Sequence, residues 1–300
     1  MGGDWAVPEN RTTPVLSGEQ LRNEVENAHV GRGEVAVWWL TQASWLVKFR
    51  TTTILIDPWW RDLDAGDSWG KLLGEFPLTP EQHPKVDFIF CTHWHDDHIC
   101  PVALPRLAKA QPHAKFIAPI RSRQMLIDMG IPRGRIHSMR GNDSGQLNHG
   151  LSFFAIPAAH EELDKDISNA HLYLGYLLHC DGITVFHMGD SRPYPGWVGN
   201  IQRAAKMLNF NGGGDSTVDL AFLCINGNRR LIKFNHLNWY AHIQKSEYFN
   251  VFNFFVWRLF FPISKLKQCI SRKGINAYLL HRLDKLMFFT RWYRSSTNVM

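Results

Sequence analysis

The 300-residue chain lacks the features that mark several common protein classes. Its five cysteines, Cys91, Cys100, Cys180, Cys224 and Cys269, are odd in number, widely spaced and without a C-x-x-C pair. That excludes a disulfide framework and suits a reducing, cytoplasmic compartment. Cys91 and Cys100 read as small buried hydrophobes. No G-x-S-x-G elbow is present, so serine hydrolysis has no support. No G-x-x-x-x-G-K is present either, so the Gly-rich NFNGGGDS (Asn209 to Ser216) reads as a loop and not a phosphate cradle. The opening MGGDWAVPEN has no basic region followed by an apolar core, so no secretory leader is expected. Ala6 stands where N-myristoylation needs Ser or Thr. No internal repeat is visible.

What is present is an ordinary globular composition, 45% apolar and 20% charged, with enough length for one large domain or two small ones. The net charge of +6 is unevenly placed. Residues 229–300 carry 13 of the 33 basic and 2 of the 27 acidic residues, so the first 228 residues are mildly acidic. The same stretch holds 16 of the 38 aromatics. A nucleic-acid partner would rest on that stretch alone and is not expected; the body reads as an enzyme-sized domain for a small-molecule substrate.

Residues 1–33 read as a polar N-terminal extension with one helix, capped at Ser17, with Glu19 in its first turn and a stop near Gly31 and Gly33. Three β-type runs follow at turn-sized spacings, Val35 to Leu40, Ser44 to Phe49 and Thr52 to Asp57, which suggests hairpins. The texture then alternates. Val86 to Cys91 is a near-continuous apolar strand, Pro101 to Ala110 has helical spacing, and Lys115 to Ile120 is a strand. Arg121 to Gly130 is a helix stopped by glycine, and Arg135 to Met139 is a short strand. Four further strands are expected at Leu151 to Pro157, His171 to Leu178, Ile183 to Met188 and Asp219 to Ile225. The pattern implies two β-rich layers with helices outside them.

The chemistry concentrates in CTHWHDDH, directly after the strand ending at Cys91, where His93, His95, Asp97 and His98 fall within six residues. Imidazole and carboxylate are the ligands of zinc, manganese or iron. An extended turn places His93 and His95 on one side and lets Asp97 and His98 face a second point nearby. That suits two divalent metals bridged by one water, whose pKa falls to about 7. Four such positions would recur by chance roughly 0.002 times in a chain of this composition, which sets aside a merely solvated loop. Downstream, IPAAHEE puts His160 just beyond a strand, and HMGDS puts Asp190 just beyond another. Each alone is weak; together they lie where layered α/β proteins collect their sites. Arg192, Arg229 and Arg230 are near enough in sequence to meet an anionic substrate, or are solvated surface groups.

The order H-x-H-x-D-H, then His, then Gly-Asp resembles the metallo-β-lactamase fold superfamily. WWLTQASWLVKF, ILIDPWW, PAAHEE, YLGY, HMGDSRPYPG and AFLCINGN resemble its L-ascorbate-6-phosphate lactonase-like branch, across roughly Val35 to Asn228. The resemblance implies a four-layer αββα sandwich over residues 34–228 with the site along one edge. It implies that His93, His95 and His160 form a first metal site, that Asp97 and His98 serve a second, and that Asp190 bridges them. Asp57 either matches the family's buried acid behind the ligand turn or is a strand-end turn residue. The implied reaction is hydrolysis of an ester, lactone or phosphoester, with one or two divalent ions, zinc or manganese, per chain. Asp97 and His98 are the catalytic candidates, and the position of Asp97 permits it to accept a proton. A phosphodiesterase or phospholipase D-like reaction is the sibling alternative.

Beyond INGN the likeness stops. The resemblance implies a further helix, a strand and a last His ligand, whereas residues 229–300 offer His236, His242 and His281 in unmatched surroundings. YFNVFNFFVWRLFF (Tyr248 to Phe261) has neither a clean helical nor a clean strand period and is too interrupted for a membrane span. This divergent basic aromatic stretch is a replacement element, a membrane-surface segment, or sequence that did not evolve with the body. In the last case the chain is an inactive relative lacking its final ligand.

Overall fold

A computed structural model describes residues 13–62, 74–209 and 218–224, together with strands at 254–257 and 278–281. The sequence runs at 1–12, 63–73, 210–217 and most of 225–300 lie outside the described residues, and with them Arg229, Arg230, His236, His242 and the Gly-rich loop.

Two sheets face each other. The first runs β13–β1–β2–β3–β4–β5–β6, where β1 is Glu34–Thr41, β2 Ser44–Lys48, β3 Thr53–Ile56, β4 Phe88–Phe90, β5 Lys115–Pro119, β6 Ile136–Met139 and β13 Tyr278–His281. The second runs β12–β11–β10–β9–β8–β7, where β7 is Ser144–Gln146, β8 Ser152–Pro157, β9 Leu174–Cys180, β10 Ile183–His187, β11 Leu220–Cys224 and β12 Phe254–Trp257. The described α-helices are α1 (Gly18–Asn27), α2 (Ala103–Ala110), α3 (Arg123–Asp128) and α4 (Trp197–Asn209), together with four short 3-10 turns.

Side-chain alternation creates the layers. In β1, Val35 and Val37 enter the cluster between the sheets, where they join Val47, Ile54, Phe90, Tyr176, Val185 and Phe222. Ala36, Trp38 and Leu40 face the other way, onto Leu21 and Val25 of α1 and, through the same cluster, Leu104 and Leu107 of α2. The outer face of the second sheet, with Phe154, Ile156, Leu177 and Phe186, is covered by Trp197, Ile201, Ala204 and Ala205 of α4. Each period-2 strand thus buries both faces, which is why the runs read as continuously apolar. The result is the four-layer αββα sandwich.

Local details depart from the sequence expectations. Ser17 is the N-cap residue of α1, but its side chain makes no cap bond, and the helix ends at Asn27 ahead of Gly31 and Gly33. Gly33, at φ +78°, instead turns the chain into β1. Helix α4 has no counterpart in the sequence reading, although Trp197, Ile201, Ala204 and Ala205 have helical spacing; the Pro193, Pro195 and Gly196 turn signals mask its start. Within the 229–300 stretch, β12 pairs antiparallel with β11, and β13, which contains His281, pairs antiparallel with β1. Among the described residues no helix is long and apolar enough to cross a membrane.

Candidate metal centre

Strand polarity brings the site together. β3 and β4 are parallel, with Ile56 opposite Phe90, so Asp57 and the turn after Phe90 emerge side by side. β8 and β10 both pair antiparallel with β9, so their C-terminal ends lie beside its start. The two sheets are joined there by the Leu174 N–H, which donates to the Thr92 carbonyl at 3.0 Å, and by the Tyr176 hydroxyl, which donates to the Cys91 carbonyl at 2.8 Å. The His160 and Asp190 loops are tied to each other as well. Arg192 N–H donates to Ala159 O at 2.6 Å, and Ala159 N–H donates to Ser191 Oγ at 3.0 Å.

All six residues expected from the sequence gather at this edge. The ligand atoms of His93, His95 and His160 lie within 4.8 Å of one another, and so do those of His93, His98 and Asp190. Asp97 stands beside the second group, with Oδ2 3.6 Å from His98 Nε2. His98 Nε2 is 3.4 Å and His160 Nε2 3.9 Å from Asp190 Oδ2. His93 is thereby shared by both groups, whereas the sequence reading assigned it to one.

Behind the ligands lies a buried relay. Asp57, at φ +44°, accepts from Thr92 N–H at 2.7 Å through Oδ1, and from Thr92 Oγ1 and His98 Nδ1 at 2.8 Å each through Oδ2. A carboxylate can only accept, so His98 carries its proton on Nδ1. The Thr92 hydroxyl, having donated to Asp57, accepts from His93 Nδ1 at 3.0 Å. With Nδ1 of each ring committed as the donor, Nε2 is the nitrogen that each imidazole turns to the site and that a metal ligand would use once deprotonated. This favours the supporting-acid reading of Asp57 over that of a turn residue. Thr92 was not singled out by sequence; its position between a strand end and a His-rich turn was the available signal.

At the site itself, His98 Nε2 and Asp190 Oδ1 are buried without a hydrogen-bond partner among the described residues. A buried polar atom left unpaired costs stability, so its retention points to a missing partner. Nitrogen and carboxylate oxygen are the donors that borderline divalent cations take. The residues present fit such an ion.

Electrostatics separate the two rings, leaving His93 neutral and His98 a cation between carboxylates in the metal-free chain, whose proton a metal would displace. Burial, followed by the neighbouring imidazoles of His98, His95 and His160, holds His93 well below the usual imidazole value. Burial works to lower His98 too, but the Asp190 and Asp57 carboxylates outweigh it and hold it well above. Burial raises the Asp97 carboxyl. For Asp190, burial is overcome by the facing His98, and its carboxyl is held low.

Close packing fixes these positions. Gly189, at φ +59°, precedes Asp190, and a Cβ there would lie 2.9 Å from Leu174 O and 3.0 Å from Thr92 Cβ. Tyr173, 9% exposed, stacks on His160 at 5.1 Å and lies 5.2 Å from the His93 ring, a contact that sequence did not suggest beyond the YLGY string. Arg192 is surface-exposed and paired with Glu161 at 2.5 Å.

A four-layer sandwich with a His-rich turn, a distant His and a distant Asp meeting at one sheet edge defines a metallo-β-lactamase-type domain. The family described as "Beta-lactamase superfamily domain" matches residues 52–221, and the chain belongs to it. It is 25% identical over 213 residues to a probable L-ascorbate-6-phosphate lactonase of Escherichia fergusonii, covering 58% of each chain. It is 29% identical over 186 residues to a protein of Bacillus velezensis described as a metal-dependent hydrolase, covering 61% of this chain and 69% of that one. The chain thus spans little more than half the length of the lactonase relative. A solved metallo hydrolase from Ignicoccus hospitalis aligns with a TM-score of 0.41 at 22% identity, over 58% of this chain and 66% of that one.

Proposed function

We propose that residues 34–228 form a metal-dependent hydrolase domain acting on a small ester, lactone or anionic sugar-phosphate substrate in the cytoplasm. The observation that carries this is the pair of ligand groups sharing His93, with His98 Nε2 and Asp190 Oδ1 buried and unpaired between them. His93, His95 and His160 would hold one divalent cation, zinc or manganese, and His98 and Asp190, with Asp97 adjacent, a second. Such ions acidify bound water and draw charge from a carbonyl or phosphoryl oxygen. The chain's own contribution is positional. Asp57 and Thr92 lock the His93 and His98 rings, and the raised Asp97 carboxyl is placed to take a proton at Oδ2. Cys91, Cys100 and Cys180 are buried thiols outside any disulfide, which supports a reducing location.

A phosphodiesterase reading is favoured by similarity to an N-acyl-phosphatidylethanolamine-hydrolyzing phospholipase D of Caenorhabditis elegans, 24% identical over 162 residues and covering 46% of that protein. Metal analysis of the purified chain, with hydrolysis of a γ-lactone set against bis(p-nitrophenyl) phosphate, separates the readings. Two metal equivalents and turnover of either substrate support the enzyme. One equivalent or none, with no turnover, identifies an inactive relative.

A further inference from the structure

We propose that Tyr173 is a ligand-binding residue of this centre, whose hydroxyl donates a hydrogen bond to an oxygen of the bound substrate or oxyanion. The inference rests on the metal-centre reading above and adds to it a recognition group outside the ligand set. The juxtaposition that carries it is a phenol ring laid against three candidate ligands, with a hydroxyl committed to none of them.

The ring of Tyr173 stacks on His160 at a 29° interplanar angle, and its centroid lies 5.2 Å from that of His93 and 5.8 Å from that of His95. It therefore borders the whole first ligand group. Chain geometry holds it there. The Tyr173 carbonyl accepts from Ala158 N–H at 3.0 Å, two residues before His160, and the next residue, Leu174, donates to the Thr92 carbonyl. The residue is tethered on one side to the His160 loop and on the other to the start of the His-rich turn. It cannot drift without moving both.

The hydroxyl behaves differently from the ring. Among the described residues it makes no hydrogen bond, and it is not one of the sealed, unpartnered polar atoms. The other tyrosines at this end of the sandwich are committed. Tyr176 donates to Cys91 O at 2.8 Å, and Tyr194 donates to Pro157 O at 2.7 Å. A tyrosine that is nine-tenths buried normally spends its hydroxyl on a protein acceptor. One that keeps it free beside three imidazoles retains a neutral donor for an incoming acceptor. The inward nitrogens of the ligand imidazoles would be taken up by a bound ion, and Nδ1 of His93 and His98 is turned away, to Thr92 and Asp57. Tyr173 is thus the neutral donor that the first ligand group itself cannot supply.

The test uses the full chain loaded with manganese and inorganic phosphate as the probe, with binding measured by titration calorimetry for the unmodified protein and Tyr173→Phe. Phenylalanine keeps the ring stack on His160 and removes only the hydroxyl. The expected result is a Kd for phosphate about tenfold higher in Tyr173→Phe, the scale of one hydrogen bond to a charged acceptor. The fall in melting temperature on adding chelator should be the same in both proteins. Equal phosphate affinity overturns the proposal, and so does a metal-loaded unmodified protein that fails to bind phosphate. In either case an intact chelator effect leaves the metal-centre reading standing. Loss of that effect in Tyr173→Phe also overturns the proposal, because it would make the phenol a structural support of the ligands. Absence of the chelator effect from the unmodified protein ends both readings together.

Discussion

The carboxylate of Asp57 and the imidazole of His98 meet at 2.8 Å, both fully buried, although one ends β3 and the other follows β4. Asp57 also takes both donors of Thr92, so three donors converge on one side chain. Replacing it with Asn keeps the shape and tolerates the positive φ, but turns one acceptor oxygen into a donor. With the NH2 in place of Oδ2, the Thr92 hydroxyl and His98 Nδ1 both face a donor; in place of Oδ1, the Thr92 N–H does. Asp57→Asn should lose about 1–3 kcal/mol of stability through the unpaired buried donor. Metal affinity should fall about 10–100-fold through loss of ring orientation. Denaturant unfolding and competitive metal titration check the two effects separately. An unchanged metal affinity would show that the relay does not orient His98.

Gly189 is the backbone counterpart of that relay. It combines a left-handed φ with close approach to Leu174 O and Thr92 Cβ, the two positions that join the sheets. Gly189→Ala introduces strain of about 1–3 kcal/mol and presses on both neighbours. Melting temperature should fall by roughly 3–10 °C for a domain of about 200 residues. Metal affinity should fall with it, because Asp190 is the next residue. Gly182→Ala is the control: its φ is +85° with open space around it, so strain should appear without loss of metal.

Metal binding should itself be visible as stability. An ion that binds only the folded chain adds about 2.7 kcal/mol at a concentration 100 times its Kd. Chelator should therefore lower the melting temperature of the unmodified protein by roughly 5–10 °C. His93 contributes to both ligand groups, so His93→Ala should abolish the chelator effect, not merely halve it. A half-sized effect would mean that one of the two groups holds its ion without His93. Differential scanning fluorimetry with and without chelator decides between them.

These expectations also show which parts of the site could be read from sequence. His93, His95, Asp97 and His98 lie within one short turn, so their density alone marked them. His160 and Asp190 could be placed because each follows an apolar strand whose end is easy to recognise. Thr92 and Tyr173 were not legible, because their roles depend on which strand neighbours which. A threonine after a strand and a tyrosine at the start of one are common in any sheet. Helix α4 was obscured because its apolar face is built largely from small residues, Ala204 and Ala205, behind a proline-rich turn. The edge strand β12 lies in Tyr248 to Phe261, so densely aromatic that no period could be distinguished, and β13 is only four residues long among basic and polar neighbours.

Away from the site, His83 gives a pH prediction free of metal chemistry. Its ring is buried, and Nδ1 donates to the Thr79 carbonyl at 2.9 Å. Burial lowers its pKa from the ordinary 6.5 to about 4, against the smaller raising effect of that hydrogen bond. The folded chain therefore resists a proton that the unfolded chain accepts. Above pH 6.5 the group is neutral in both states and costs nothing. As pH falls from 6.5 towards 4 the unfolded state binds more protons, and stability drops by up to about 1.4 kcal/mol per pH unit. Across that window the loss amounts to about 3 kcal/mol. His83→Gln cannot take up the proton in either state, so its stability should decline less steeply over the same range. Urea unfolding at pH 7 and pH 4.5 in the presence of chelator, which removes metal-linked protonation of the other histidines, measures the difference. Parallel stability curves for the two proteins would show that His83 is accessible to protons in the folded chain.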